Sequence, residues 1–329
     1  MTGYSQAPTK IKPPTRLNNS RNTTIIKTAS KVLKKWQLYV MLMIPVVYII
    51  VFNYIPMYGV QIAFKNFSVA KGIMESPWVG FKHFQRFFTS PQFGKLMANT
   101  IRLSVTNMLV GFPFPILLAL MLNATRRKGF KSIVQTGIYI PYFISTVVLV
   151  GILKQMLSPK YGIINKIMEL MGGTAINFMG EAEWFVIIYV LSDIWQTAGY
   201  TSIIYLAALT SINPELYDAA SVDGATRMQK VFHIELPGIA STVCTLLIIK
   251  IGDMVNIAFE KVFLMQTPLN LENSEILSTY VYKVGIASTS MLPNYSYGAA
   301  IDLFNAAVSL ILVFIVNKIV KRMGGNSLW

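Results

Sequence analysis

Chemistry in this chain has few tools to work with. The 329 residues include two histidines, His83 and His233, and one cysteine, Cys244. A single cysteine excludes an internal disulfide and a cysteine-built metal cage. Cys244 falls in an apolar run, where a free thiol behaves as a small buried hydrophobe. No H-E-x-x-H helix, G-x-S-x-G elbow or G-x-x-x-x-G-K-[ST] phosphate loop occurs. Four acids interrupt otherwise apolar stretches: Asp193, Asp253, Glu260 and Asp302. Such acids can serve an ion-coupled secondary carrier or channel, but these form no dense relay. What remains is the chemistry of contact. The polar stretch 211–238 sets Asp218 and Asp223 beside the slim Ala219 and Ala220 and the apolar Leu216 and Val222. That is a surface that could enter a partner's groove.

The elements that must carry these residues follow from composition. Hydrophobic residues make up 53% of the chain and charged residues only 13%, where a soluble domain carries roughly 25% charged. The net charge is +15, yet the mean hydropathy is +0.51. A nucleic-acid binder is often this basic but not this apolar. The chain is therefore expected to be an integral membrane protein with its cations in loops and tails. A spanning helix needs about 20 mostly apolar residues. Runs 38–64, 103–125 and 132–153 carry no charge, 184–209 carries only Asp193, and 297–317 only Asp302. A further run, 239–265, holds Lys250, Asp253, Glu260 and Lys261. The expectation is an all-α protein with six transmembrane helices. The first run is too long for a signal core of about 7–15 residues, and no lipidation motif precedes it.

Lysine and arginine placement orients the spans. With both termini inside, 17 of the 29 basic residues fall in the inner segments 1–35, 126–131, 211–238 and 318–329. His83 and His233 then lie on opposite sides and share no metal. Residues 1–35 read as a basic cytoplasmic tail, drawn to anionic lipid, and 36–329 as a six-helix transmembrane domain with a cytoplasmic loop at 211–238. The outer segment 65–102 is rich in aromatic residues, including Trp78, Phe81, Phe84 and Phe87. Aromatic rings favour the membrane boundary, so one or two helices are expected there against the bundle. A short helix is expected over Ile163–Leu170, ended by Gly172 and Gly173.

Stretch 211–238 has clear local grammar. Asn213 can cap a helix that opens on Pro214 and carries Glu215 in its first turn. That helix can run to about Val222, Gly224 permits a sharp turn, and Thr226 can cap a second short helix through His233 that Pro237 stops. Asp218-Ala219-Ala220, three residues, Gly224, nine residues, Ile234, one residue and Leu236-Pro237 reproduce the spacing E-A-A-x3-G-x9-I-x-L-P. The stretch thus resembles the EAA loop of inner-membrane permease subunits of binding-protein-dependent ABC importers. Asp218 stands where that family usually carries Glu, keeping the charge on a shorter arm. Phe52 to Gly59, Trp195 to Leu209 and Gly324 to Trp329 are similar to the LplB branch of carbohydrate permeases, over roughly 35–329.

The resemblance implies a type I importer permease fold in the bacterial cytoplasmic (inner) membrane. It implies no catalysis by this chain and no cofactor in it, with ATP and Mg on a partner ATPase dimer. Further partners would be a second permease subunit, favoured as a different chain, an external solute-binding protein and an oligosaccharide, with no nucleic acid. Coupling to the ATPase would fall on Asp218, Ala219, Ala220, Asp223, Gly224, Ile234, Leu236 and Pro237. Candidates for the sugar path are Trp195, Gln196, Tyr200, Lys250, Asp253 and Asn256, because aromatic faces suit sugar rings and polar groups suit hydroxyls. The same residues could instead hydrogen-bond helix to helix. Lys250 could pair with Asp253 or face an acidic sugar such as a uronate.

Overall fold

A computed structural model describes residues 35–125, 127–254, 259–287 and 293–322. Most of the basic tail, Arg126, Asn256 and the C-terminal stretch 323–329 lie outside the described residues. The chain divides into two units, Met1–Gly59 and Val60–Trp329. Among the described residues the elements are helical, apart from two isolated antiparallel bridges, Lys65 with Trp78 and Ser68 with Gly72.

Four helices are long and apolar enough to cross a membrane: α1 (Trp36–Phe64), α2 (Gln92–Asn123), and two others at Arg227–Gly252 and Tyr295–Arg322. Three of these four contain a π-helical turn, at Ile50–Tyr54, Asn107–Gly111 and Val231–Glu235. Each turn ends two residues before a proline: Pro56, Pro113 and Pro237. A proline inside a helix lacks the N–H donor and its ring strikes the carbonyl one turn back. A wider turn ahead of it moves that carbonyl aside and lets the helix go on.

The expected third span, 132–153, is not straight. It consists of α3 (Lys128–Phe143) and α4 (Thr146–Met156), bent by 99°. Pro141 tightens the end of α3 into a 3₁₀ turn, Ile144 is extended, and the Ser145 side chain caps α4 by accepting from the Val148 N–H. The broken ladder frees the Ile144 carbonyl, and Gln196 Nε2 donates to it at 2.9 Å. In lipid a free carbonyl would cost several kcal/mol, so this bond is what makes the bend tolerable.

Gln196 lies on α5 (Trp184–Thr210), the expected fourth span. Its 27 residues are long enough to cross, but its middle is polar, and it falls short of the apolarity of the other four. It is nonetheless central: it packs along the second half of α2 and against α3. Gly199 makes the closest approach, where a Cβ would strike the Ile138 carbonyl of α3.

After α5 come α6 (Pro214–Val222), α7 (Arg227–Gly252), α8 (Phe259–Met265), α9 (Leu277–Gly285) and α10 (Tyr295–Arg322). The expected run 239–265 is corrected by this: the long helix starts at Arg227 and ends at Gly252. Among the described residues three apolar cores hold the bundle, two of them around α5. One joins Leu103, Val150, Phe185, Tyr189, Val262 and Met265 of α2, α4, α5 and α8. The other joins Ala119, Leu120, Tyr205, Leu209 and Ile239 of α2, α5 and α7. The aromatic segment forms a short helix, Lys82–Phe88, whose Phe87 packs with Leu96, Tyr297 and Ile301. His83 is buried there with Nε2 3.2 Å from the Lys65 carbonyl. Burial, chiefly, holds its pKa below the ordinary imidazole value. The helix at Ile163–Leu170 is observed, with Gly172 at φ +85° just beyond it.

Candidate functional site

The loop between α5 and α7 is built as its residues dictate. Asn213 Oδ1 accepts from the Glu215 N–H at 3.1 Å, and Pro214 opens α6. Gly224 adopts φ +73°, a left-handed conformation that a side chain resists. Thr226 and Gln229 form a reciprocal capping box. Here the structure differs from the expected stop at Pro237. The turn capped by Thr226 does not end but passes through the π turn Val231–Glu235 into α7. The loop is therefore one short helix folded back on the start of a long one.

Among the coupling candidates, Asp218, Ala219, Asp223, Gly224 and Pro237 are exposed, and Ala220, Ile234 and Leu236 half-buried. A cleft of about 380 Å³ brings Ala220, Asp223, Gly224 and Ile234 together with His233 and Gln229. Apolar side chains project beside them: Val222 is 89% exposed, Met228 61% and Phe232 58%. Apolar exposure on this scale at a polar loop marks a contact surface.

Deeper in the bundle, a cavity of about 160 Å³ lies among α2, α5 and α7. Lys250 and Asp253, two of the path candidates, line it, and no ion pair joins the two among the described residues. Other path candidates sit elsewhere. Gln196 is committed to the α3–α4 bend, Tyr200 stacks on Tyr142 at 3.9 Å between centroids, and Trp195 lines a separate crevice of about 210 Å³. The residues that the sequence reading passed over as path candidates are Asp193, Thr197 and Thr201, which also line the cavity. Their spacing of four places them on one face of α5, which is the signal that could have found them. Both threonine hydroxyls donate to the carbonyl four residues back. Asp193 is held from behind by Lys261 of α8, at 3.5 Å. The Lys261 side chain is 2% exposed, and its ammonium also donates to the Tyr189 carbonyl at 3.4 Å and lies 4.8 Å from the Tyr189 ring centroid.

Residues 111–325 match the family described as binding-protein-dependent transport system inner membrane component. A Bacillus subtilis (strain 168) protein named polygalacturonan/rhamnogalacturonan transport system permease protein YteP is 44% identical, covering 91% of this chain and 92% of its own length. Protein LplB of the same strain is 41% identical over 90% of this chain and 91% of its own. Among solved structures, a chain of a bacterial ABC transporter that imports the acidic polysaccharide alginate superposes with a TM-score of 0.82 at 40% identity. It covers 90% of this chain and 99% of that one. The alginate transporter in complex with an alginate pentasaccharide-bound periplasmic protein gives 0.83 at 39% identity, covering 91% and 99%.

Proposed function

Because the chain belongs to the binding-protein-dependent transport system inner membrane component family, we infer that it is the permease subunit of an oligosaccharide importer driven by a separate ATPase. The observation that carries this is the loop 211–238: an exposed short helix capped by Asn213, folded at the left-handed Gly224 back on the Thr226-capped start of α7. Such a projection can be pushed by a cytosolic partner and pass the motion to α5 and α7 together. Rigid-body displacement of whole helices suits a bilayer, which offers no water to loosened backbone.

The full reading has six spans with both termini in the cytosol of a bacterium, and the chain in the inner membrane. Four long apolar helices, the bent α3–α4 pair and the polar-waisted α5 support that count. The coupling residues Asp218, Ala219, Ala220, Asp223, Gly224, Ile234, Leu236 and Pro237 would face the ATPase. A second permease subunit and an external binding protein complete the assembly. ATP and Mg bind the ATPase. The test is reconstitution of the chain with its partner permease, ATPase and binding protein in liposomes. ATP-dependent uptake of an oligosaccharide is expected; uptake that proceeds without ATP would overturn the reading in favour of a secondary carrier.

A finer reading concerns the sugar. Lys250 lines the cavity free of any ion pair with Asp253; one relative is named for polygalacturonan/rhamnogalacturonan transport and one similar structure is of an importer of the acidic polysaccharide alginate. An ammonium without an ion pair among the described residues suits an anionic oligosaccharide, its carboxylate on Lys250 and its hydroxyls on Asp253. Charge-assisted hydrogen bonds contribute roughly 1.5–3 kcal/mol. Lys250→Met is therefore expected to cut uptake of uronate oligomers by about tenfold or more while sparing neutral ones. Equal loss for both would remove the charge-reading role.

A further inference from the structure

Glu235 closes the π turn at the head of α7 and is 6% exposed. The motif spacing assigns it nothing, since it fills the free position between Ile234 and Leu236. Its Oε1 accepts from Asn123 Nδ2 at 2.9 Å. Tyr217 Oη of α6 stands 3.5 Å from the same oxygen, at the long end of hydrogen bonding. Its Oε2 is buried with no hydrogen-bond partner. Asn123 is the last residue of α2. These three side chains border a cleft of about 700 Å³ beneath α6.

Connectivity makes the arrangement consequential. The loop is joined through the backbone to α5 and α7, but not to α2. Yet α2 supplies Gly111, Phe112 and Pro115 to the wall of the cavity that Asp193 also lines. If the loop moved α5 and α7 alone, that wall would lag. We propose that Glu235 is a positioning residue that links the coupling helix α6 to the end of α2, so that a push on the loop moves α2, α5 and α7 as one body. Apolar packing of Ala119 and Leu120 on Tyr205, Leu209 and Ile239 stiffens the same end. Burial, with the neighbouring Glu235 charge, raises the Tyr217 pKa, so its hydroxyl stays a donor through the physiological range. A carboxylate bonded through one oxygen can hold α2 while its second oxygen stays unbonded, which lets the link shift without first breaking a network.

The proposal rests on the permease reading, and its test separates the two. In the reconstituted complex, the measured quantity is oligosaccharide imported per ATP hydrolysed. Glu235→Leu and Asn123→Leu are each expected to lower that ratio about tenfold, within the usual range of coupling free energies. The double variant is expected to be no worse than either single one. Glu235→Gln should stay within about twofold of wild type, because its amide oxygen still accepts from Asn123. Should a leucine variant fail to assemble, the reversed pair decides. Asn123→Asp alone sets two carboxylates together and should lower the ratio; adding Glu235→Gln restores a donor and should recover it. A wild-type ratio in Glu235→Leu, losses that multiply in the double variant, or a reversed pair no better than Asn123→Asp would each overturn the link. A wild-type complex without ATP-driven uptake would instead overturn the permease reading itself.

Discussion

Replacing Gly224 by proline is expected to abolish transport-coupled ATPase activity while leaving the chain inserted in the membrane. Gly224 sits at φ +73° and lets α6 fold back on the start of α7. Proline is confined to φ near −65°, so the fold-back cannot form. The Gly224 N–H, which donates to the Ser221 carbonyl at 3.2 Å, is lost as well. The change lies in an exposed loop outside the apolar cores, so insertion has no reason to suffer. Ala220→Asp should act alike by another route: it places a charge on the half-buried flank of α6 in the cleft beside Gly224. Membrane-fraction abundance and stimulation of ATPase activity by the loaded binding protein are the two measurements. Normal abundance with stimulation lost is the expected pair. Full stimulation in both variants would separate the loop from the ATPase.

The second large effect is expected at Lys261. This ammonium is sealed inside the bundle against Asp193, the Tyr189 carbonyl and the Tyr189 ring. Removing one partner of a buried pair leaves the other charge uncompensated, at roughly 3–5 kcal/mol. Lys261→Leu should therefore lower the melting temperature of the purified protein sharply. Replacing both charges removes the uncompensated acid, so Asp193→Asn/Lys261→Leu should recover most of the loss. The comparison is made by thermal unfolding in detergent. A single variant that melts with the wild type would mean that apolar packing alone, through Val262 and Met265, holds α8 to α5.

The sequence made some parts legible and hid others for identifiable reasons. Asn213, Pro214, Gly224 and Thr226 declared the loop because capping and turn chemistry are local, and local chemistry survives without knowledge of the rest of the chain. The long apolar runs declared α1, α2 and α10 in the same way. The bend between α3 and α4 was not legible. An uncharged run such as 132–153 looks straight until the side chain that satisfies the break is known, and Gln196 is 52 residues away. Pro237 misled because a proline reads as a stop, whereas here the preceding π turn makes room for it. One of the two readings of Lys250 paired it with Asp253 at a spacing of three, yet among the described residues those two form no ion pair, while Lys261 reaches Asp193, 68 positions apart. Glu235 gave no signal at all, because its meaning depends on Asn123 at the end of another helix.

The three π turns carry a further implication. Each holds one residue more than an α-helical turn would at the same place, and an added residue is a store of length and angle. In an α-helix one residue is worth about 100° of rotation and 1.5 Å of rise. If the extra residue passes from one turn to the next, only the turn between is re-aimed by about that angle. Both ends of the helix, and whatever they are packed against, stay still. In α2 the store lies at Asn107–Gly111, and Gly111 with Phe112 forms part of the cavity wall. Pro113, two residues beyond, holds the extra residue at that place, so the way Gly111 and Phe112 face the cavity is set by the wider turn itself.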